Sequence, residues 1–154
     1  MTKKTLVLTA IFSLAAAAPA LAAGARSVGV GVALGEPIGL TAKTDLGGRL
    51  SADAGAGFSD GNFGLWGDAL WNDATLLPQP RQGSLTAYAG AGPQLRLGSD
   101  ARFGLRTIVG ASFKPAGHPL EFFAEAGPLF RFTQGGHVDP VGAVGLRVYF
   151  PVGG

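Results

Sequence analysis

From Arg26 onward the chain alternates apolar side chains with glycine or charged ones, and Gly-rich turns interrupt the alternation at short intervals. A period of two marks a strand with one apolar and one polar face, because successive side chains on a pleated backbone point to opposite sides. The alternation predicts eight strands, at about 26–34, 38–46, 49–58, 62–71, 85–97, 101–113, 119–132 and 140–150. The breaks have local causes: Gly35-Glu36-Pro37, Gly47-Gly48, Ser59-Asp60-Gly61-Asn62, Gly98-Ser99-Asp100, Pro115-Ala116-Gly117 and Gln134-Gly135-Gly136 supply positive φ or a preset turn. One connection is long, Asn72 to Ser84, with Pro78 and Pro80 inside it. No segment carries a sustained helical period, which argues against strands alternating with helices. The expected fold is all-β, an eight-stranded antiparallel up-and-down (meander) β-barrel of the transmembrane type.

The two strand faces differ sharply. One carries Val28, Val30, Val32 and Leu34 on the first strand and Ile38, Leu40 and Ala42 on the second, and it stays free of charge through Val144, Leu146, Val148 and Phe150 on the last. The other carries Lys43, Asp45, Asp53, Asp68, Arg96, Arg102, Arg106, Glu121, Glu125, Arg131 and Arg147, interleaved with glycines such as Gly29, Gly31, Gly55, Gly110 and Gly145. A soluble carrier would enclose the apolar face and leave the glycines on its wet surface, where they are entropically costly and solubilise weakly. A membrane barrel turns the apolar face outward, and its narrow interior needs glycine beside each long Arg or Glu. The second arrangement accounts for the glycines. Strands of about ten residues, tilted, also cover an apolar band of ~25 Å. Phe58, Phe63, Phe103, Phe130 and Phe132 fall at one rim and Trp71, Phe113, Phe122 and Phe150 at the other, as two interfacial girdles would.

Ions inside a low-dielectric barrel must be paired. The spacing sets Arg106 beside Glu125 near mid-height and Arg147 beside Glu121 toward the amino-terminal end, with Asp68, Asp53 and Lys43 in the same interior network. Such pairs imply a plugged barrel. Arg96, Arg102 and Arg131 gather at the outer rim with Asp60, Asp100 and Asp139 in nearby loops, so that the rim either meets lipid phosphates or an anionic ligand, or pairs locally. Ala91-Gly92-Pro93 and Ala126-Gly127-Pro128 repeat one another within strands five and seven, and proline in a strand points to bulges that help the sheet close.

Residues 1–22 read as a secretory signal peptide, with Lys3 and Lys4, an apolar run from Leu6 to Ala18, and Ala20-Leu21-Ala22 at the cleavage site. Residues 23–154 are then the barrel domain, exported by a Sec-type route to the outer membrane, with the periplasm as the alternative. Without Lys3 and Lys4 the Lys+Arg count falls from 12 to 10 against 10 Asp+Glu, so the formal charge of +2 belongs to the leader and no nucleic-acid reading survives. With no cysteine, stability rests on ladder closure and packing. His118 and His137 lie in separate Gly/Pro turns without a second ligand at metal spacing. No P-loop or dinucleotide fingerprint is present, and no cofactor is expected. A rim-borne hydrolase would have to combine Ser59 or Ser99 with His137.

Leu34-Gly35-Glu36-Pro37-Ile38-Gly39-Leu40, Asp68-Ala69-Leu70-Trp71, Glu125-Ala126-Gly127-Pro128 and Gly145-Leu146-Arg147-Val148-Tyr149-Phe150 resemble a family of small bacterial outer-membrane barrels. That family is known only as a domain of unknown function, similar in fold to the OmpA transmembrane domain. The resemblance spans nearly all of 23–154 and implies an eight-stranded barrel without known catalysis. Leu146, Val148 and Phe150 also resemble the last strand read by the outer-membrane assembly machinery, although Pro151-Val152-Gly153-Gly154 follow them. The expected partners are that machinery and membrane lipid, including lipopolysaccharide, around a monomer. The long connection departs from the pattern, because it falls on the side where turns are short. Three functions stay open: a plugged, non-catalytic outer-membrane barrel with a structural, anchoring or surface-interaction role; a soluble lipocalin-like carrier of an apolar ligand; and a narrow channel.

Overall fold

The computed structural model describes residues 27–99, 101–133 and 135–152, so the expected leader, Asp100 and Gln134 lie outside the described residues. Eight strands follow one another: β1 (Ser27–Glu36), β2 (Ile38–Gly47), β3 (Leu50–Ser59), β4 (Asn62–Asp73), β5 (Gly83–Leu97), β6 (Arg102–Pro115), β7 (Leu120–Arg131) and β8 (His137–Pro151). Each pairs antiparallel with the next, and β8 returns to β1, which closes the barrel without an edge. The expected meander is the observed one. The β3–β4 hairpin shows why: Asp60 and Gly61 both have positive φ, 49° and 75°, the two-residue turn whose twist matches the flanking strands.

Several strands outrun their alternation. Asn72 and Asp73 still pair with Tyr88 and Ala87, and His137 pairs with Arg131, because ladder bonds continue where side-chain patterning has stopped. The long connection therefore shrinks to residues 74–82. It is tied down by Gln79, whose amide donates to the carbonyls of Ala74 and Leu85 at 2.6 Å each and accepts from the Leu85 amide at 3.1 Å.

The pairing register fixes the barrel's shape. From Arg147 the in-register partners run through Gly31, Thr41, Gly55, Trp66, Gln94, Gly104 and Arg131 and come back to β8 at His137, a stagger of ten residues, 147 minus 137. With a rise of ~3.3 Å per residue and ~4.8 Å between strands, that stagger over eight strands tilts them about 41° and sets a backbone radius of about 8 Å. Ten residues then climb roughly 25 Å along the axis.

The charge-free face points outward. Leu34 is 57% exposed, Leu40 48%, Val109 66% and Val144 55%, whereas inward-facing Arg147 is 2% and Glu121 0% exposed. The inward face is less uniformly polar than the alternation suggests, however. Leu70, Tyr88, Ile108, Leu129 and Val141 form one enclosed apolar cluster, and Ala33, Trp66 and Phe123 form another with Ala143 against it. Asp45, expected inside, is exposed at the mouth that carries the chain ends.

Two further expectations need correction. The glycines do not mainly make room for Arg and Glu. A methyl group on Gly55 would collide with the Trp66 ring, one on Gly110 with Tyr88, one on Gly29 with Tyr149 and one on Gly145 with Phe123, so glycine clears space for aromatic rings lying flat on the opposing strand. Nor do Pro93 and Pro128 sit at bulges. On both sides of each proline the register is unchanged, and only two ladder pairs drop out. There Gly92 and Gly127 press against the backbone carbonyls of Gly67 and Thr107, so the Ala-Gly-Pro repeat builds the same close strand contact twice. The only shift of register among the described residues is at Asp45 to Gly47.

Gly55→Ala is expected to destabilise the barrel by about 1–3 kcal/mol, since the ring must leave its place. Gly67→Ala, whose methyl would meet only the Asp53 carbonyl at 3.8 Å, should change stability much less. Denaturant titration of both variants in detergent checks this, and adding Trp66→Leu should recover most of the Gly55→Ala loss.

Candidate functional site

Two clusters of ionised side chains occupy the barrel interior, each assembled from strands far apart in sequence. In the first, Arg147 on β8 faces Glu121 directly across the β7–β8 ladder and pairs with it at 2.7 Å. It also pairs with Asp53 from β3, on the far wall, and Thr41 donates its hydroxyl to the same carboxylate at 3.3 Å. Lys43 and Lys114 reach Glu121 at 3.4 and 3.5 Å, and Tyr149 donates to it at 3.1 Å. The Arg147 guanidinium lies 3.9 Å from the centre of the Phe123 ring, so its open face is covered by a π-system.

The second cluster centres on Arg106 of β6, which lies 2.7 Å from Glu125 on β7 and 3.0 Å from Asp68 on β4. Tyr88 donates to Glu125 at 2.8 Å, and Trp66 lies beneath the guanidinium at 5.7 Å. Asp53 and Asp68 are direct partners across the β3–β4 ladder, two like charges side by side in a dry interior. They coexist because each has its own arginine, Arg147 for Asp53 and Arg106 for Asp68. Between the clusters the space is nearly filled: the cavity bordered by Thr41, Trp66, Arg106, Phe123 and Arg147 measures about 10 Å³, room for one water at most.

All seven network residues are thus placed in contact, Arg106, Glu125 and Asp68 in one cluster and Arg147, Glu121, Asp53 and Lys43 in the other. Tyr88, Tyr149, Trp66, Thr41 and Lys114 belong to the same machinery and were missed. The missing signal was parity: Trp66 stands two before Asp68, Tyr149 two after Arg147 and Tyr88 two before Gly90, so they share the inward face.

The rim arginines stand at the mouth with the short turns. Arg131 is clamped by Asp139, Nε to Oδ2 at 2.6 Å and Nη2 to Oδ1 at 3.0 Å. Arg96 donates to the Ser59 hydroxyl oxygen at 2.7 Å and lies 3.9 Å from both Glu36 and Asp60. Arg102 makes no ion pair among the described residues. Local pairing is therefore real for Arg131 and loose for Arg96. At that mouth Phe58 meets Phe63 edge-on at 5.5 Å, and Phe103 meets Phe132 at 5.9 Å. At the opposite mouth Phe113 pairs in register with Phe122, Phe150 with Val28, and Trp71 lies 5.2 Å from the Arg49 guanidinium.

Gly57-Phe58-Ser59-Asp60-Gly61 has the Gly-x-Ser-x-Gly spacing of a nucleophile elbow. Its context is wrong for that role: it spans a strand-to-strand hairpin instead of a strand-to-helix turn, and its hydroxyl is engaged by Glu36 and Arg96. His137 opens β8 at the same mouth, yet it makes no hydrogen bond to Ser59 among the described residues. No group of three or more His, Asp or Glu among the described residues could hold a metal ion. Comparison with family models, curated proteins and solved structures finds no match to this chain.

Arg147→Met is expected to cost about 3–5 kcal/mol, because it strands Asp53 without its counter-charge and takes from Glu121 one of its three cations. Adding Asp53→Asn should recover most of that loss in equilibrium unfolding, whereas no rescue would contradict the pairing. A double-mutant cycle on Arg106 and Glu125 is expected to give coupling of about 1 kcal/mol or more.

Proposed function

We propose that the protein is an outer-membrane-type β-barrel whose interior is plugged and whose role is structural, anchoring or surface interaction, without catalysis. The observation that carries the reading is the outward band: all eight strands present Val, Leu, Ile, Phe and Ala to the exterior, and the ionised groups of the strand interiors turn inward. In water that band would be an apolar surface far larger than the few hundred Å² that soluble monomers expose. In hydrocarbon it is the expected surface, and closure leaves no unpaired strand edge. The height of about 25 Å derived from the stagger agrees with the apolar band of such barrels. Aromatic residues at both mouths are the side chains that favour the lipid–water boundary.

Support for the plug comes from the two ion clusters and the residual 10 Å³ between them. A continuous channel would require several strong, nearly dry ion pairs to open together. A lipocalin-like carrier would need an enclosed apolar cavity, and the Val and Leu rows that would line it face outward instead. Anchoring and surface contact fit the short turns at one mouth, which add little beyond the barrel itself.

On this reading the protein requires detergent for extraction and runs with heat-modifiable mobility on gels, while release by osmotic shock would contradict it. In planar bilayers the wild type should give a flat trace. Arg106→Ala should not create a regular open state, because the Arg147 cluster still blocks the axis.

A further inference from the structure

Beyond Arg106, toward the mouth with the short turns, the interior opens into a cavity of about 260 Å³. Three arginines stand on its wall from consecutive strands, Arg96 on β5, Arg102 on β6 and Arg131 on β7. Arg96 and Arg102 are direct partners in the β5–β6 ladder, so two like charges stand on opposing positions of neighbouring strands. Such a pair is destabilising unless a counter-charge lies between them.

The described carboxylates of the same cavity do not supply that charge. Asp139 is committed to Arg131 by its two contacts. Glu36 accepts the Ser59 hydroxyl, and both Glu36 and Asp60 are 3.9 Å from Arg96 while 53% and 80% exposed, where water screens their attraction. Arg102 is left with a buried Nε that has no hydrogen-bond partner among the described residues. Gln94, 4% exposed, borders the same cavity, and its buried Oε1 is equally unpartnered. A half-turn of that amide would present two N–H donors in place of the oxygen.

We propose that this mouth binds a phosphate group between Arg96 and Arg102, with the Gln94 amide beneath it. A guanidinium fork matches two oxygens of a tetrahedral anion, and two forks approaching from adjacent strands suit a dianion better than a planar carboxylate with one charge. The cavity is smaller than the roughly 300–1,000 Å³ of drug-sized pockets, so it encloses one phosphate and the few atoms of an ester next to it, the remainder lying outside the mouth. The site lies inside the barrel and does not depend on what surrounds the outer face. A soluble phosphate and a lipid phosphomonoester share the chemistry and differ in the route of entry.

The test uses the full chain in a nonionic, phosphate-free detergent, titrated in one arm with inorganic phosphate and in the other with phosphatidic acid carried in the micelle. Saturable calorimetric binding is expected, weakened about tenfold or more in Arg96→Gln and in Arg102→Gln and weakened also in Gln94→Leu. Arg49→Gln, at the opposite mouth, should leave it unchanged. Variants are compared after their heat-modifiable mobility shows a closed barrel, and Gln94→Leu provides a reading that keeps all rim charges. The pattern in the first arm assigns a soluble phosphate, and the pattern in the second arm alone assigns a lipid headgroup. Equal binding by wild type and Arg102→Gln, or no saturable binding in either arm, overturns the proposal.

Discussion

Arg147 holds together what closure of the barrel brings into conflict. Its guanidinium is nearly dry, spans the interior from β8 to β3, and is the shared counter-charge of Asp53 and Glu121. An isolated ion in such a place would cost several kcal/mol, so the surrounding side chains are arranged to leave none isolated. Phe123 covers its face, Thr41 accepts from its edge, and Lys43 and Tyr149 take up the second oxygen of Glu121. A second set lies one layer away, where Arg106 stands between Asp68 and Glu125 and Tyr88 donates to Glu125, while both Asp68 oxygens lack a hydrogen bond among the described residues. Four cations, Lys43, Arg106, Lys114 and Arg147, thereby meet four carboxylates, Asp53, Asp68, Glu121 and Glu125.

The barrel's dimensions make these contacts possible. A ten-residue stagger over eight strands gives a backbone radius of about 8 Å, across which an arginine from one wall reaches a carboxylate on the other. At that radius every inward position competes for volume. Glycine opposite Trp66, Tyr88, Phe123 and Tyr149 is the result, and those rings seal the spaces the ions do not fill. The cost of interior glycine is lost backbone rigidity, offset by a ladder that closes on itself and by ring packing. Toward the short-turn mouth the pattern loosens, because three arginines stand on neighbouring strands and, among the described residues, only Arg131 has a close carboxylate. That is where the polar interior has capacity to spare.

Fold and orientation were readable because a period of two, held over eight segments, admits few alternatives once one face is free of charge. Turn positions followed from residues such as Asp60 and Gly61, whose φ requirements are local. The strand ends were less legible, since Asn72, Asp73 and His137 pair through backbone groups that side-chain patterning does not report. Arg147 with Glu121 could be foreseen because up-and-down topology makes them neighbours. Arg147 with Asp53 could not, because they meet across the lumen, and the stagger that aligns β8 with β3 is set by all eight registers together. The aromatic residues inside were missed for another reason: Trp66 and Tyr88 look like members of the outer face until parity is followed residue by residue. Pro93 and Pro128 misled in the opposite sense, since Gly92 and Gly127 beside them absorb the strand contact without changing register.

The account turns on which side of the wall each row of side chains occupies, and spin-label accessibility measures that directly. With no native cysteine, single cysteine variants at Val30, Leu40, Val109 and Val144 can be labelled without background after reconstitution into bilayers. All four labels should collide freely with dissolved oxygen and be shielded from a water-soluble nickel chelate. Labels reached by the nickel chelate and hidden from oxygen at those positions would place the apolar rows away from hydrocarbon and contradict the account.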